Sequence, residues 1–255
     1  MAGWTWVAAA CRGTSHERSG TRLQDAKCCF VQKGRCGQDI FVAIISDGAG
    51  SATYGGQGAA LVCRTIGSQI RKHFRSSESH PEDSDIESWV DMARDKIFAV
   101  AASRKAVPRD FAATLVLAIS NAQATVVAHI GDGCVVLKDK AANQWVAPTW
   151  PEHGEYASTT NFITDDPVAS LTVNRVEREI SALTLFSDGL ERLALDFVAR
   201  TPYERFFEGI CRPLFGSSSL GRERGLSDQL KLYLNSSQIN DRTDDDKTLV
   251  LAVTK

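Results

Sequence analysis

Trp4 to Ala10 alternates large and small apolar residues, which predicts a first strand. The polar stretch RGTSHERSGTRLQD, residues 12–25, separates it from a second strand over about Ala26 to Gln32. KGRCGQ then supplies the glycine-containing turn of a hairpin whose return strand ends on the run Phe41-Val42-Ala43-Ile44-Ile45. Over residues 56–75 the period becomes helical, with Leu61, Ile66 and Ile70 close to one face and Arg64 and Arg71 among the polar positions. The loop RSSESHPEDSD follows, and offers Ser84 or Asp85 as the N-cap of a second helix from Ile86 to about Ala102.

Strand patterns return at Ala112 to Ser120, Ala124 to Ile130 and Cys134 to Lys138, joined by the short turns NAQ and GDG. Residues 139–180 are less regular and hold much of the proline. SALTLFSDGLERLA, residues 181–194, is another apolar strand that stops at an aspartate and a glycine and continues as a helical pattern. Residues 203–215 and 226–236 read as helices, and DDDKTLVLAVT is a carboxylate cluster feeding a last strand. Strand runs interrupted by one helix pair early and another late predict an α+β fold, with antiparallel sheets covered by helices. No linker or internal repeat interrupts the pattern, so a single domain over residues 1–255 is expected.

Composition narrows the class. The chain has 255 residues, 43% hydrophobic and 24% charged, which is ordinary for a soluble globular protein. A net charge of −2 leaves no electrostatic footprint for nucleic acid or an anionic membrane surface. No apolar run approaches the ~20 residues that span a bilayer, and MAGWTWVAAACRG lacks the basic leader and full apolar core of a secretory signal. The cysteines number seven, with no Cys-x-x-Cys pair, and read as buried thiols in a reducing compartment. A cytoplasmic monomer is expected.

The chemistry lies in a recurring feature. Asp47, Asp132, Asp188 and the cluster Asp244-Asp245-Asp246 all sit at strand borders. One Asp-Gly is usually a turn, and an acidic triplet alone is usually a solvated loop. Strand ends of an antiparallel sandwich, however, can converge on one edge although far apart in sequence, and carboxylates gathered there repel unless cations sit between them. Hard oxygen donors without His or Cys select Mg²⁺ or Mn²⁺ over zinc. Glycine beside Asp47 would let a backbone carbonyl reach the same ion.

Other readings fit less well. His73 and His80 bring no partner set and read as surface histidines. Ser187 lacks the Gly-x-Ser-x-Gly of a nucleophile elbow. GAGSAT departs from a dinucleotide fingerprint at Thr53, and Asp47 would face a pyrophosphate with like charge.

SDGAGS at 46–51, AATLVLAI at 112–119, HIGDG at 129–133, LFSDGL at 185–190 and DDKTLVL at 245–251 resemble, in that order, the motifs of the protein phosphatase 2C family. GTSHERSGTRLQDA at 13–26 fits that family's N-terminal box, and the resemblance is greatest to its compact bacterial branch. It implies a four-layer αββα sandwich, two antiparallel sheets flanked by helices. It also implies hydrolysis of phosphoserine and phosphothreonine by direct attack of a water bridging metal ions, with two or three Mn²⁺ or Mg²⁺ ions bound.

Carried over by motif, Asp47, Asp188 and Asp245 are the catalytic carboxylates. Asp47 bridges two ions with the Gly48 carbonyl, and Asp188 and Asp245 complete the first ion's shell. Asp132, with Asp188, forms a third site. Asp244 and Asp246 carry no ligand role. Gln24-Asp25 stands where the family often has Glu-Asp, so the second ion is expected to be held through water or more weakly. Arg18, Arg22 and His16 lie in the box where the family often keeps a phosphate-binding arginine, and Ala49 stands where some members have His. Residues 150–167 occupy the place of the variable flap, with Asp165-Asp166 reading as a solvated turn before Pro167. The implied partners are phosphorylated proteins, a Hanks-type kinase or that kinase's substrates. Gln24 and Ala49 leave one alternative, a catalytically weak or inactive binding or sensing module on the same fold.

Overall fold

The structure, a computed structural model, describes residues 3–151, 160–166 and 170–255. In chain order it forms β1 (Trp4–Cys11), α1 (Thr14–Ser19), β2 (Ala26–Lys33), β3 (Asp39–Ser46), α2 (Gly55–Ser76) and α3 (Asp83–Ser103). Next come β4 (Leu115–Ser120), β5 (Thr125–Ile130), β6 (Cys134–Asp139), β7 (Trp145–Val146), β8 (Thr172–Val176) and β9 (Ile180–Phe186). The chain closes with α4 (Glu191–Ala194), β10 (Leu195–Asp196), β11 (Thr201–Pro202), α5 (Glu204–Gly216), β12 (Gly221–Arg222), α6 (Arg224–Leu234), α7 (Ser237–Asn240) and β13 (Lys247–Thr254).

Two sheets carry the architecture, one ordered β12-β1-β13-β9-β6-β7 and the other β2-β3-β4-β5-β8, with β10 and β11 a small separate pair. Pairing is antiparallel except for the two-residue contact between β1 and β12. The alternation of side chains along each strand fixes the layering. In β3, Phe41, Ala43 and Ile45 meet Val250 and Ala252 of β13 and Leu183 and Leu185 of β9 between the sheets. The intervening Ile40, Val42 and Ile44 face α2 and α3. On the other side, Leu249, Leu251 and Val253 of β13 pack with Phe207, Leu214, Leu230 and Leu234 of α5 and α6. Helix, sheet, sheet and helix therefore stack in the expected four layers, with apolar side chains at every boundary.

Local chemistry sets the element ends. α2 buries Ala59, Val62, Cys63, Ile66, Ile70 and Phe74 along one stripe, the spacing a sheet-covering helix requires. α3 begins one turn before the sequence suggests: Glu82 is its N-cap, and Asp85 sits at N3, where its Oδ2 accepts the Glu82 N–H at 3.0 Å. β4 starts at Leu115 rather than Ala112, because Pro108–Phe111 forms a 3-10 turn with proline at its start. All seven cysteines are free; Cys11, Cys63, Cys134 and Cys211 are buried as expected, whereas Cys36 is exposed and Cys28 and Cys29 are half-buried. Burial pushes the Cys211 thiol up to about 12, which leaves it inert. Among the described residues, no helix is long and apolar enough to cross a membrane.

The 3-10 turn is pressed against α2. A Cβ placed on Gly58 would lie 1.9 Å from the Phe111 carbonyl oxygen, so only glycine allows this approach. Gly58→Ala is expected to lower stability by ~1–3 kcal/mol, as overpacking in a rigid core does. Urea unfolding checks it: an unchanged midpoint would mean the turn is not packed this way.

Candidate active site

Register brings the scattered aspartates together. The last pair of the β2–β3 ladder is Ala26↔Ser46, so Asp25 and Asp47 leave the hairpin side by side. Cys134 and Leu249 both pair with Phe186, so Asp132, Asp188 and the 244–246 cluster emerge beyond one edge of the other sheet. Leu115↔Ile130 sets Thr114 beside the Gly131-Asp132 turn. The result is a cleft of about 350 Å³ at one end of the sandwich, with Asp47, Asp132, Asp188 and Asp245 in its wall.

Each carboxylate is held by its own backbone setting. The Asp47 N–H donates to Thr114 Oγ1 at 3.0 Å, and its carbonyl accepts from the Thr114 N–H at 2.8 Å. Gly48 approaches α2 so closely that a Cβ would stand 2.2 Å from the Gly55 carbonyl carbon. Asp132 follows Gly131, whose φ of 104° admits few other residues. The Asp132 Oδ2 accepts from the Thr160 hydroxyl. Asp188 opens a 3-10 turn directly after β9. Asp245 accepts the Asp246 N–H on Oδ1 at 2.7 Å.

Electrostatically the cleft is strained. Burial, then the charges of Asp25 and Asp188, push the Asp47 carboxyl well above the ordinary carboxylate range. Burial, then Asp132, does the same to Asp188. Behind them burial raises Asp25 to about 6, although Ser187 Oγ donates to its Oδ2 at 2.8 Å. The folded state thus holds the Asp25 proton more tightly than the unfolded chain does. Its contribution to stability is lost as pH rises from 3.8 through about 6.

These donors fit divalent cations. Asp25 Oδ1, Asp188 Oδ1 and Gln24 Oε1 are buried oxygens without a hydrogen-bond partner. Among the described residues, no three acidic, histidine or cysteine side chains close into a complete cage. An open cleft walled by separate carboxylates suits Mg²⁺ or Mn²⁺, which keep part of their water shell, better than a metal needing a full protein cage.

The triplet at the start of β13 divides its labour in a way the motif does not reveal. Asp245 reaches the cleft, and Asp244 is exposed and paired with Arg18 at 2.9 Å. Asp246 is buried, and it accepts from the Gly13 N–H at 2.7 Å and the Gln24 N–H at 2.6 Å. His16 Nδ1 lies 2.9 Å from Asp246 Oδ1, a close contact without hydrogen-bond alignment. Asp246 therefore ties the N-terminal box to the last strand.

Of the residues proposed to hold phosphate, His16 lines the cleft, whereas Arg18 and Arg22 are exposed and are not among the lining side chains. Gln24 and Asp25 are buried just behind Asp47, and the Gly48 N–H donates to the Gln24 carbonyl at 3.3 Å. Arg109 in the 3-10 turn lines the cleft and was not among the sequence candidates. Its only signal is a basic residue immediately ahead of the threonine-bearing strand. Residues 152–159 and 167 of the flap region lie outside the described residues. Within the rest, Asp165 closes a turn on Phe162 and is partly exposed; its Oδ2 accepts the Phe162 N–H at 2.7 Å and its Oδ1 lies 3.6 Å from Arg109.

Asp246→Ala strips two buried N–H groups of their acceptor and is expected to cost ~2–5 kcal/mol. Asp244→Asn removes one exposed ion pair and should stay within about 0.5 kcal/mol of wild type. Denaturant melts of both variants decide it, and equal losses would contradict the division.

A sequence model of Protein phosphatase 2C matches residues 12–235. Serine/threonine-protein phosphatase 3 of Escherichia coli (strain K12) is 34% identical over 256 residues, covering 98% of each chain. The fold is shared with a Streptococcus agalactiae serine/threonine phosphatase at a TM-score of 0.63 and 14% identity, covering 99% of this chain and 100% of that one. The Staphylococcus aureus serine/threonine phosphatase Stp1 aligns at a TM-score of 0.62 and 17% identity, covering 98% of this chain and 94% of the other. A converging set of aspartates, the matching fold and a family match over most of the length lead to one assignment: the chain belongs to the protein phosphatase 2C family.

Proposed function

We propose that this metal-dependent protein phosphatase hydrolyses phosphoserine and phosphothreonine with Asp47, Gly48, Asp188 and Asp245 holding its principal cations. Asp132 contributes to a third ion, and Gln24 and Asp25 support the second. Mn²⁺ or Mg²⁺, when bound, supplies a nucleophilic water near neutral pH and neutralises charge on the phosphoryl oxygens. The observation that carries the reading is the convergence of Asp47, Asp132, Asp188 and Asp245, from separate strand ends, in the wall of one cleft, where they can ionise together only beside positive charge.

The chain's own groups orient and limit. Thr114 locks the Asp47 backbone from two directions, so the carboxylate is aimed before substrate arrives. Ser187 fixes Asp25, and its hydroxyl oxygen also accepts the Thr248 N–H at 3.0 Å, which joins the ends of β9 and β13. Thr160 holds Asp132 to the wall of the cleft. His16 stands in the wall with its Nδ1 beside Asp246, and its imidazole is the candidate to exchange a proton with the leaving oxygen. Phosphorylated proteins in the cytoplasm, including a Hanks-type kinase or its targets, are the substrates proposed. The binding-module alternative is disfavoured, since a full set of buried carboxylates kept charged without a cation would cost several kcal/mol.

Phosphothreonine peptides should be hydrolysed with Mn²⁺ or Mg²⁺, and chelation should abolish turnover. Asp47→Asn should lower kcat at least about 100-fold at any Mn²⁺ concentration. Asp132→Ala should still bind two ions by calorimetry and yet hydrolyse peptide poorly. Near-normal turnover by Asp47→Asn would refute the assignment.

A further inference from the structure

A cleft walled by carboxylates must receive a dianion, so positive side chains at its mouth matter. Among the described residues, its basic lining consists of His16, engaged with Asp246, and Arg109. The turn that carries Arg109 is fixed to the metal-binding loop through the residues that follow it. Phe111, in the same turn, is fully buried and stacks on Tyr54 at 4.9 Å. The Tyr54 N–H donates to the Asp110 carbonyl at 2.7 Å, and the Ala49 N–H to the Ala112 carbonyl at 2.9 Å. The turn that carries Arg109 and the loop that carries Asp47 and Gly48 are thus one unit. The Arg109 side chain is nevertheless 74% exposed.

Its only ion-pair partner among the described residues is Asp165, at 3.6 Å, a loose contact in a solvated setting. Asp165 itself is well anchored. Its second oxygen caps Phe162, and Arg94 Nη1 donates to the Ile163 and Asp165 carbonyls at 2.5 and 3.0 Å. A fixed carboxylate beside an exposed guanidinium is an intramolecular stand-in for an oxyanion. A phosphate monoester offers the same two-oxygen face with more charge, and the guanidinium fork matches it.

Resting on the phosphatase reading above, we propose that Arg109 grips the substrate phosphate at the cleft mouth and that Asp165 holds its guanidinium until substrate displaces it. Arg109 takes the place in this chain that the exposed Arg18 and Arg22 do not fill.

Kinetics with Mn²⁺ on a phosphothreonine peptide and on p-nitrophenyl phosphate test this. Arg109→Ala should raise KM about tenfold for both, and raise the inhibition constant of inorganic phosphate in parallel, the loss of one charge-assisted contact. Arg109→Lys should fall between, and melting temperatures should not move. Asp165→Asn keeps an oxygen for the Phe162 N–H but removes the competing charge, so its KM should fall below wild type. A purely structural role for Asp165 predicts a rise instead, and would overturn the proposal. So would an unchanged KM in Arg109→Ala, or a rise confined to peptides with acidic flanks, while wild type turns over normally. A wild type inactive with both ions would overturn the phosphatase reading itself, and the role of Arg109 with it.

Discussion

The repulsion among buried carboxylates at one end of the sandwich is the constraint around which the rest is arranged. Asp47, Asp132, Asp188 and Asp245 stand in one wall, burial pushes the Asp47 and Asp188 carboxyls above the ordinary range, and Asp25 lies behind with its carboxyl raised to about 6. Removing such groups from water costs several kcal/mol per charge without compensation. The fold supplies that compensation through apolar packing elsewhere. Three apolar boundaries, between each sheet and its helices and between the sheets, run behind the cleft. The strain is confined to loops that cannot relax, because each is pinned to a ladder end.

The pins are specific. Asp246 draws the N-terminal box onto β13 through the Gly13 and Gln24 N–H groups. Thr114 fastens Asp47 to the start of β4, and Ser187 joins Asp25 to β9. Close backbone contacts at Gly48, Gly58 and Gly189 let these segments lie against one another where a side chain would separate them. One acidic cluster thereby serves two ends: Asp245 faces the cleft, and Asp246 holds the scaffold that shapes it.

What could be read from the sequence follows the range of the forces involved. The strands were legible because each is nearly continuous in apolar residues; in β3 and β4 both faces are buried, which removes polar alternation but leaves an unmistakable run. The convergence of Asp47, Asp132 and Asp188 could be anticipated because each ends such a run. The α3 start was misjudged by one turn, since a Glu cap with Asp at N3 looks like surface charge until the helix exists. Asp246 could not be separated from Asp244 by inspection, because their difference is made by residues more than 200 positions away. Arg109 and its pairing with Asp165 were missed for the same reason: the contact depends on a flap returning to a turn 56 positions earlier. Short-range patterning specified the elements, and long-range register specified the site.

The most direct measurement is thermal unfolding of wild type and Asp47→Asn, each with chelator and with saturating Mn²⁺. If carboxylate repulsion is the stored strain, the variant melts above wild type in chelator by a few degrees, about 2–4 °C per kcal/mol relieved. Mn²⁺ then raises the melting temperature of wild type far more than that of the variant, by binding the folded state alone. A variant that melts below wild type in chelator, with both proteins responding equally to Mn²⁺, would contradict the claim that cations resolve a strain centred on Asp47.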